Sequence, residues 1–369
     1  MSGPFAFTIR TLDGATCELA ADEHGHWAAP GDVAGAAELP SGNWWALVGL
    51  ADCHAHLGGA SLDGINDPAG TPDAELIARN AFAQLEAGVF LVADKGSKND
   101  LTLRLADHPP TERPDLHAAG RVIGVPGGYY EGFAVETDEA GLADVVAAAA
   151  ATSGASWVKL IGDWPRKGVG AVPSFEQDAL ARAVEVAHAG GCRLAIHAAA
   201  PRTSSLAVAA GVDSIEHGLF LTHDDLAALG ARGGAWVPTI CAMEAIADML
   251  GPDSSGGKLF RDGLANVADL VGGAQALGVS LLCGTDLELA HGEVATEAVR
   301  LVDYGLEPSA AIDAISGAAY RYLGQDDRAF EVGRPADAVF FARDPRDDIA
   351  VLREPVFAMR HGRILLDRR

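Results

Sequence analysis

The sequence predicts an α/β fold, a (β/α)8 TIM barrel with a small β-sandwich domain formed from both chain termini. Two observations carry the barrel. From about residue 46 onward, short β-rich apolar runs alternate with longer Ala/Leu/Glu segments of helical period, as βα units do. Eight such runs can be counted, the number that closes a parallel barrel. A third observation sets the ends apart: both termini lack this alternation and read as hairpins.

Taken in order, residues 5–20 (FAFTIRTLDGATCELA) alternate and turn at Asp13-Gly14, as a hairpin does. They belong to the expected N-terminal part of the small domain, residues 1–45. The barrel is expected over residues 46–328, with strands at Ala46–His54, Val89–Ala93, Arg121–Val125, Ser156–Gly162, Cys192–Ala198, Asp213–Gly218, Ala235–Ile240 and Val279–Asp286. Gly88, Gly120, Gly154, Gly191, Gly211, Gly234 and Gly278 stand just before strands, where helices end. Gly251–Lys258 (GPDSSGGK) reads as a flexible loop after the seventh strand. Residues 329–369 complete the small domain with Ala336–Ala342 and Val356–Leu366, the latter turning at His361-Gly362. A doubly wound open sheet is the competing architecture. No GxGxxG or GxxxxGK[ST] run opens a helix, which removes the usual reason to prefer it.

At 369 residues, with 49% hydrophobic and 21% charged residues, the chain can bury a large core. Its 27 Lys+Arg against 51 Asp+Glu leave a net charge of −24. That excludes nucleic acid and anionic membrane as expected partners, since both need clustered cations, and leaves a small-molecule substrate. Five cysteines without CxxC spacing read as reduced thiols. The N-terminus lacks the charged and apolar regions of a signal peptide, and no window reaches the roughly 18 apolar residues of a membrane span. A cytoplasmic location is expected, and a homo-oligomer is the base-rate expectation for an enzyme.

In a barrel, functional groups lie at the C-terminal strand ends. Those ends carry His54 and His56, Lys159, His197, His217 and Asp286. His54 and His56 are two apart and leave the same face of a strand, so they can grip one ion together. Neutral imidazole is a preferred Zn²⁺ ligand. An isolated HxH arises by chance, but four histidines and a carboxylate on one rim point to a metal site.

The segments GLADCHAHL (Gly49–Leu57), ASWVKLIG (Ala155–Gly162), LAIHA (Leu194–Ala198), SIEHG (Ser214–Gly218) and GTD (Gly284–Asp286) resemble the metal-binding motifs of the amidohydrolase superfamily, in particular its prolidase-like and imidazolonepropionase-like members. EAGVFLVADKG (Glu86–Gly96) and GRPADAVFFARDP (Gly333–Pro345) extend the resemblance over most of the chain. It implies two divalent metal ions, Zn²⁺ being the expected one, with His54, His56 and Asp286 on one and His197 and His217 on the other. Lys159 would bridge them as N6-carboxylysine, a carbamate formed with CO₂. An ammonium cannot ligate a cation, so a lysine in such a cluster must be neutral or modified. The alternative is a structural Lys159 paired with Asp163 or Glu216. The bridge favours two-metal hydrolysis over one-metal deamination, with a metal-bridging hydroxide as nucleophile and Asp286 as proton shuttle.

The expected reaction is cleavage of an amide in a dipeptide such as Xaa-Pro or in an N-acyl amino acid. A lactonase or esterase on the same site, a mononuclear deaminase and a non-catalytic binding protein are the rivals. For substrate contacts, PGGYYEGF (Pro126–Phe133) offers Tyr129 and Tyr130. The Tyr129 hydroxyl is a candidate oxyanion donor, although the related families often carry histidine there and a surface aromatic loop is the alternative. Arg166 and Lys167, and Arg202 after the fifth strand, are candidate carboxylate partners, with solvated turns as the alternative. His291 either lines the pocket or orders its loop.

Overall fold

The computed structural model describes residues 5–38, 44–59, 73–166, 168–325 and 327–368. Lys167 and residues 1–4 of the N-terminal segment lie outside them. The chain begins with a hairpin, β1 (Phe5–Arg10) and β2 (Thr16–Ala21), paired from Ala6↔Ala20 to Arg10↔Thr16. Short strands β3 (Trp27–Ala28) and β4 (Ala37–Glu38) follow. The single strand expected over Ala46–His54 is in fact two, β5 (Trp45–Leu47) and β6 (Leu50–Ala55), which enter different sheets. The break is at Gly49, where an added Cβ would lie 2.4 Å from Tyr320 Oη and 2.8 Å from Phe90 Cδ2. Only a residue without a side chain fits that passage.

Then come β7 (Val89–Asp94), β8 (Asp115–Ala118), β9 (Ile123–Gly124), β10 (Val135–Glu136), β11 (Trp157–Ile161), β12 (Asp163–Arg166), β13 (Gly170–Pro173), β14 (Arg193–Ala198), β15 (Ser214–His217), β16 (Ala235–Val237) and β17 (Ser280–Leu281). They form two parallel sheets, β6-β7-β8 and β10-β9-β11-β14-β15-β16-β17, with β12 and β13 as a separate antiparallel pair. Parallel bridges Ala118↔Ala155 and Ala55↔Asp286 connect the two sheets. Every residue of β6, β7 and β11 is buried, as in parallel strands covered on both faces. Helix Ala74–Glu86 packs on β7, helix Leu142–Ala150 on β11 and helix Gln177–Ala189 on β14.

Some local expectations change. The third strand is broken, and its first half, β8, carries the polar run DLHA. The seventh stops at Val237 because Pro238 has no N–H to continue the ladder. Ser254 accepts from Gly257 N at 2.9 Å and caps the helix from Ser255, so the expected Gly251–Lys258 loop is half helix. Gly233, at φ 73°, takes the left-handed position expected of Gly234.

The C-terminus adds β18 (Ala338–Phe341), β19 (Phe357–Arg360) and β20 (Arg363–Asp367). His361 and Gly362 turn at φ 45° and 71°, the backbone of a two-residue hairpin. Strands from both ends make one eight-stranded sheet, β20-β19-β18-β5-β1-β2-β3 with β4 on β1. Phe7 stacks on Phe340 at 5.6 Å and meets Trp27 edge-on at 5.8 Å in its core. The five cysteines are free. Among the described residues, no helix is long and apolar enough to cross a membrane.

An ion cluster fastens this sheet to the parallel strands. Arg360 is fully buried; it donates to Asp115 Oδ1 at 2.8 Å, Phe90 O at 2.9 Å and Pro110 O at 2.9 Å. Arg328 joins Asp115 at 2.6 Å to Asp337 at 3.1 Å. Burial pushes the Asp115 carboxyl up, but the Arg360 and Arg328 guanidiniums outweigh it and hold it below its ordinary value. A depressed carboxyl adds stability above its unfolded pKa, and that stability is lost as pH falls through the folded value. Asp115→Asn is therefore expected to lower stability by about 3 kcal/mol at pH 7. Urea unfolding from pH 7 down to 3 should show the wild type losing this advantage and the variant changing less.

Candidate metal centre

The groups expected at the strand ends do come together at one rim. His54 and His56, at the end of β6, are 1% and 3% exposed. Their rings lie 5.3 Å apart, and the His54 ring is 5.2 Å from that of His217, which is 4.5 Å from His197. Asp286 Oδ1 lies 3.3 Å from His56 Nε2 and 3.8 Å from His54 Nε2. One ligand atom from each of His54, His56 and Asp286 falls within 4.8 Å of the others.

Each imidazole has one nitrogen engaged from behind, which leaves the other lone pair for the centre. His56 Nδ1 is 2.6 Å from Gly96 O; a carbonyl only accepts, so Nδ1 carries the proton. Thr239 Oγ1 donates to Pro238 O at 2.8 Å and accepts from His217 Nδ1 at 2.6 Å. His54 Nδ1 meets Glu216 Oε2 at 2.7 Å, off-axis for a hydrogen bond but a close charge contact. His197 Nε2 faces Asp163 Oδ1 at 3.5 Å. Metal-ligating histidines are oriented in this way. Burial, and Lys159 beyond it, lowers the His54 pKa to about 4, so the ring is neutral at neutral pH, and the Glu216 carboxylate 2.7 Å from Nδ1 keeps the remaining proton there and leaves Nε2 for the centre. Burial works against ionised Asp286, yet His54 and His56 hold its carboxyl well below the usual range. The donor set is imidazole nitrogens plus one carboxylate, which suits a divalent cation; burial works against a charged His56, but the hydrogen bond and charge of Asp286 raise its pKa above the ordinary value.

Lys159, in the middle of β11, is 2% exposed, with Nζ 3.3 Å from His54 Nε2. Burial, with Lys95 adding to it, brings its pKa down to about 8. Neither alternative partner forms a salt bridge with it. Asp163 accepts from Ala199 N and Ala200 N, and Glu216 is held by Lys95 at 3.1 Å and Ser214 at 2.6 Å.

Backbone strain concentrates at the same rim. His217 (φ 65°), Thr239 (φ 49°) and Asp286 (φ 54°) occupy left-handed conformations that L-residues avoid. Their neighbours hold them there. Asp52 accepts from Thr285 N and Thr285 Oγ1 at 3.1 and 2.7 Å, while Asp286 N donates to His54 O at 2.7 Å. Buried Glu297 accepts from Ile240 N and Cys241 N at 2.6 and 3.1 Å, pinning the turn after Thr239. Sequence reading missed Asp52, Lys95, Thr239 and Glu297. For Asp52 a signal existed, a charge inside an apolar strand.

The substrate candidates divide. Tyr129 and Tyr130 are half-buried; their rings lie 4.7 and 5.1 Å from Trp164. Burial and then the Asp286 charge push the Tyr129 phenol well above its usual pKa, so it keeps its proton. Arg166 is half-buried on β12. Arg202 is not part of the cluster: it is 69% exposed and faces Glu176 at 3.9 Å. His291 Nε2 donates to Gly59 O at 2.9 Å, which ties its loop to the one after β6.

Replacing Thr239 by Ala removes the acceptor behind His217, and the expected result is metal affinity about 10–100-fold weaker, with Thr239→Ser near wild type. Chelator competition measures both.

Comparison with known proteins places this geometry. A model of the amidohydrolase family matches residues 45–365. A protein of Mycobacterium tuberculosis described as uncharacterized is 34% identical over 340 residues, which cover 90% of this chain and 88% of the relative. The fold is similar to a Xaa-Pro dipeptidase solved with methionine in its active site, at TM-score 0.79, 22% identity and 98% coverage of both chains. It is also similar to a prolidase complexed with N-methylphosphonate-L-proline, at TM-score 0.81, 19% identity and 99% coverage of both. With a family match that spans most of its length, the chain belongs to the amidohydrolase family.

Proposed function

We propose that the chain is a binuclear metal-dependent hydrolase that cleaves an amide bond in a dipeptide, such as Xaa-Pro, or in an N-acyl amino acid. The observation that carries this reading is the convergence of His54, His56 and Asp286 within 4.8 Å, with His197, His217 and Lys159 around them. His54, His56 and Asp286 would hold one divalent ion and His197 and His217 the other. Zn²⁺ suits nitrogen-rich donors of this kind. Such ions supply Lewis acidity and a water acidic enough to ionise near neutral pH.

The chain's own residues do the rest. The lowered pKa of Lys159 leaves a share of free amine at neutral pH. That amine forms an N–C bond to CO₂ and loses a proton, giving an anionic N6-carboxylysine with two oxygens for two ions. The Asp286 carboxylate takes a proton from the attacking water and passes it to the departing nitrogen. Tyr129, protonated and beside Asp286, donates a hydrogen bond to the carbonyl oxygen as negative charge builds there. The amide reading draws support from the fold shared with a Xaa-Pro dipeptidase and a prolidase.

The same reading takes the two parallel sheets as a closed (β/α)8 barrel that starts at β6, Leu50, rather than at residue 46, because β5 (Trp45–Leu47) pairs with β18 in the terminal sheet. Bridges Ala55↔Asp286 and Ala118↔Ala155 support it. The strands of both chain ends, β5 included, then form the small β-domain.

Prolonged treatment with a chelator is expected to abolish hydrolysis of an N-acyl amino acid and dipeptide panel, and added Zn²⁺ to restore it. Asp286→Asn is expected to lower kcat by about 10³-fold, read by steady-state kinetics. Full activity in that variant, or a preference for lactones over amides, overturns the reading.

A further inference from the structure

After β11 the chain makes a detour that no βα unit requires. β12 and β13 pair only with each other, Trp164 opposite Val172 and Arg166 opposite Gly170. Residues two apart share a strand face, so Trp164 and Arg166 leave the hairpin on the same side. Where that side looks is set by Trp164, whose ring lies 4.7 Å from Tyr129, 5.1 Å from Tyr130 and 5.6 Å from His197. Leu287, next to Asp286, packs into the same cluster. An apolar wall therefore runs alongside the candidate metal centre, from His197 to the residue after Asp286.

Arg166 stands at the end of this wall. Its Nε is buried and has no hydrogen-bond partner among the described residues, a costly state for a charged donor. Across the hairpin, a Cβ added at Gly170 would meet nothing within 4 Å among the described residues, so the strand position opposite Arg166 is open. A guanidinium takes a carboxylate through two parallel N–H bonds, and aromatic edges and faces take an apolar ring. In a chain of net charge −24, an anionic ligand is otherwise repelled, which gives a fixed cation a large part in discrimination.

We propose that Trp164, Tyr129, Tyr130, Leu287 and Arg166 form the recognition pocket for the carboxylate-bearing half of the substrate. The pocket selects an N-acyl amino acid or dipeptide whose C-terminal residue has a large apolar, preferentially aromatic, side chain and a free α-carboxylate. This deepens the amide-hydrolase reading and rests on it. It also orders the candidates: a phenylalanyl substrate is preferred over a prolyl one.

The test compares N-acetyl-L-phenylalanine, its carboxamide, N-acetyl-L-proline and N-acetylglycine on the metal-loaded protein by kcat/KM, and on the Asp286→Asn variant by equilibrium binding. The phenylalanine acid should exceed N-acetylglycine by about thirtyfold and its own amide by about tenfold. Arg166→Gln should erase the preference for acid over amide and keep the preference for the ring. Trp164→Leu should do the reverse, and its retained acid preference shows that the hairpin still folds. Equal handling of acid and amide by the wild type, or an acid preference surviving in Arg166→Gln, overturns the pocket. Preferential binding of the acid with none of the four hydrolysed would instead overturn the amide-hydrolase reading and leave the pocket standing.

Discussion

The structure depends on how one buried carboxylate is neutralised. Glu216, at 0% exposure, sits in the middle of the parallel strands, where an unpaired charge would cost several kcal/mol. Lys95 at 3.1 Å, Ser214 at 2.6 Å and His54 at 2.7 Å surround it. Each contact has a second consequence. Lys95 is drawn over the Trp157 ring at 3.8 Å, which ties β7 to β11. Ser214 orders the start of β15, the strand that ends in His217. His54 is left with its Nε2 lone pair toward Lys159 and Asp286. Interior charge balance and ligand orientation are thus one arrangement.

The second constraint is backbone strain. His217, Thr239 and Asp286 are held at positive φ, each costing of order 1–3 kcal/mol. Hydrogen bonds donated to Asp52 and Glu297 fix the segments that carry Asp286 and Thr239. Such strain brings side chains from the ends of different strands toward one point, which extended backbone alone would send past one another. The strand ends are held by hydrogen bonds where the donors sit and are elaborated where the β12–β13 hairpin pairs apart from the parallel sheets.

Much of this was legible in the sequence, and the limits are physical. His54, His56, His197, His217 and Asp286 were readable because polar groups at strand ends follow from apolar periodicity alone, and Lys159, in the middle of β11, was readable from its ASWVKLIG motif. Lys95 and Glu297 were not, because a buried charge is defined by its partners. Lys95 lies 121 positions from Glu216, and the N–H groups that Glu297 binds belong to a helix 57 residues earlier. The missed strand β8 is only four residues long, with Asp115 and His117 breaking any apolar run, and it pairs through its backbone. The loop expected over Gly251–Lys258 followed from Gly and Ser content, whereas the Ser254 cap decides where that helix starts. Arg202 looked like a rim cation by position, and its side chain turns to solvent.

The charge of −24 acquires a sharper meaning. An acidic chain assembles four imidazoles and a lysine of lowered pKa around one carboxylate, and in the proposed reading metal ions supply the positive charge at that centre. Elemental analysis of the purified protein, wild type beside Lys159→Ala, tests this most directly. The account predicts about two divalent ions per chain in the wild type and loss of at least one in the variant. Fully active protein free of metal would contradict it.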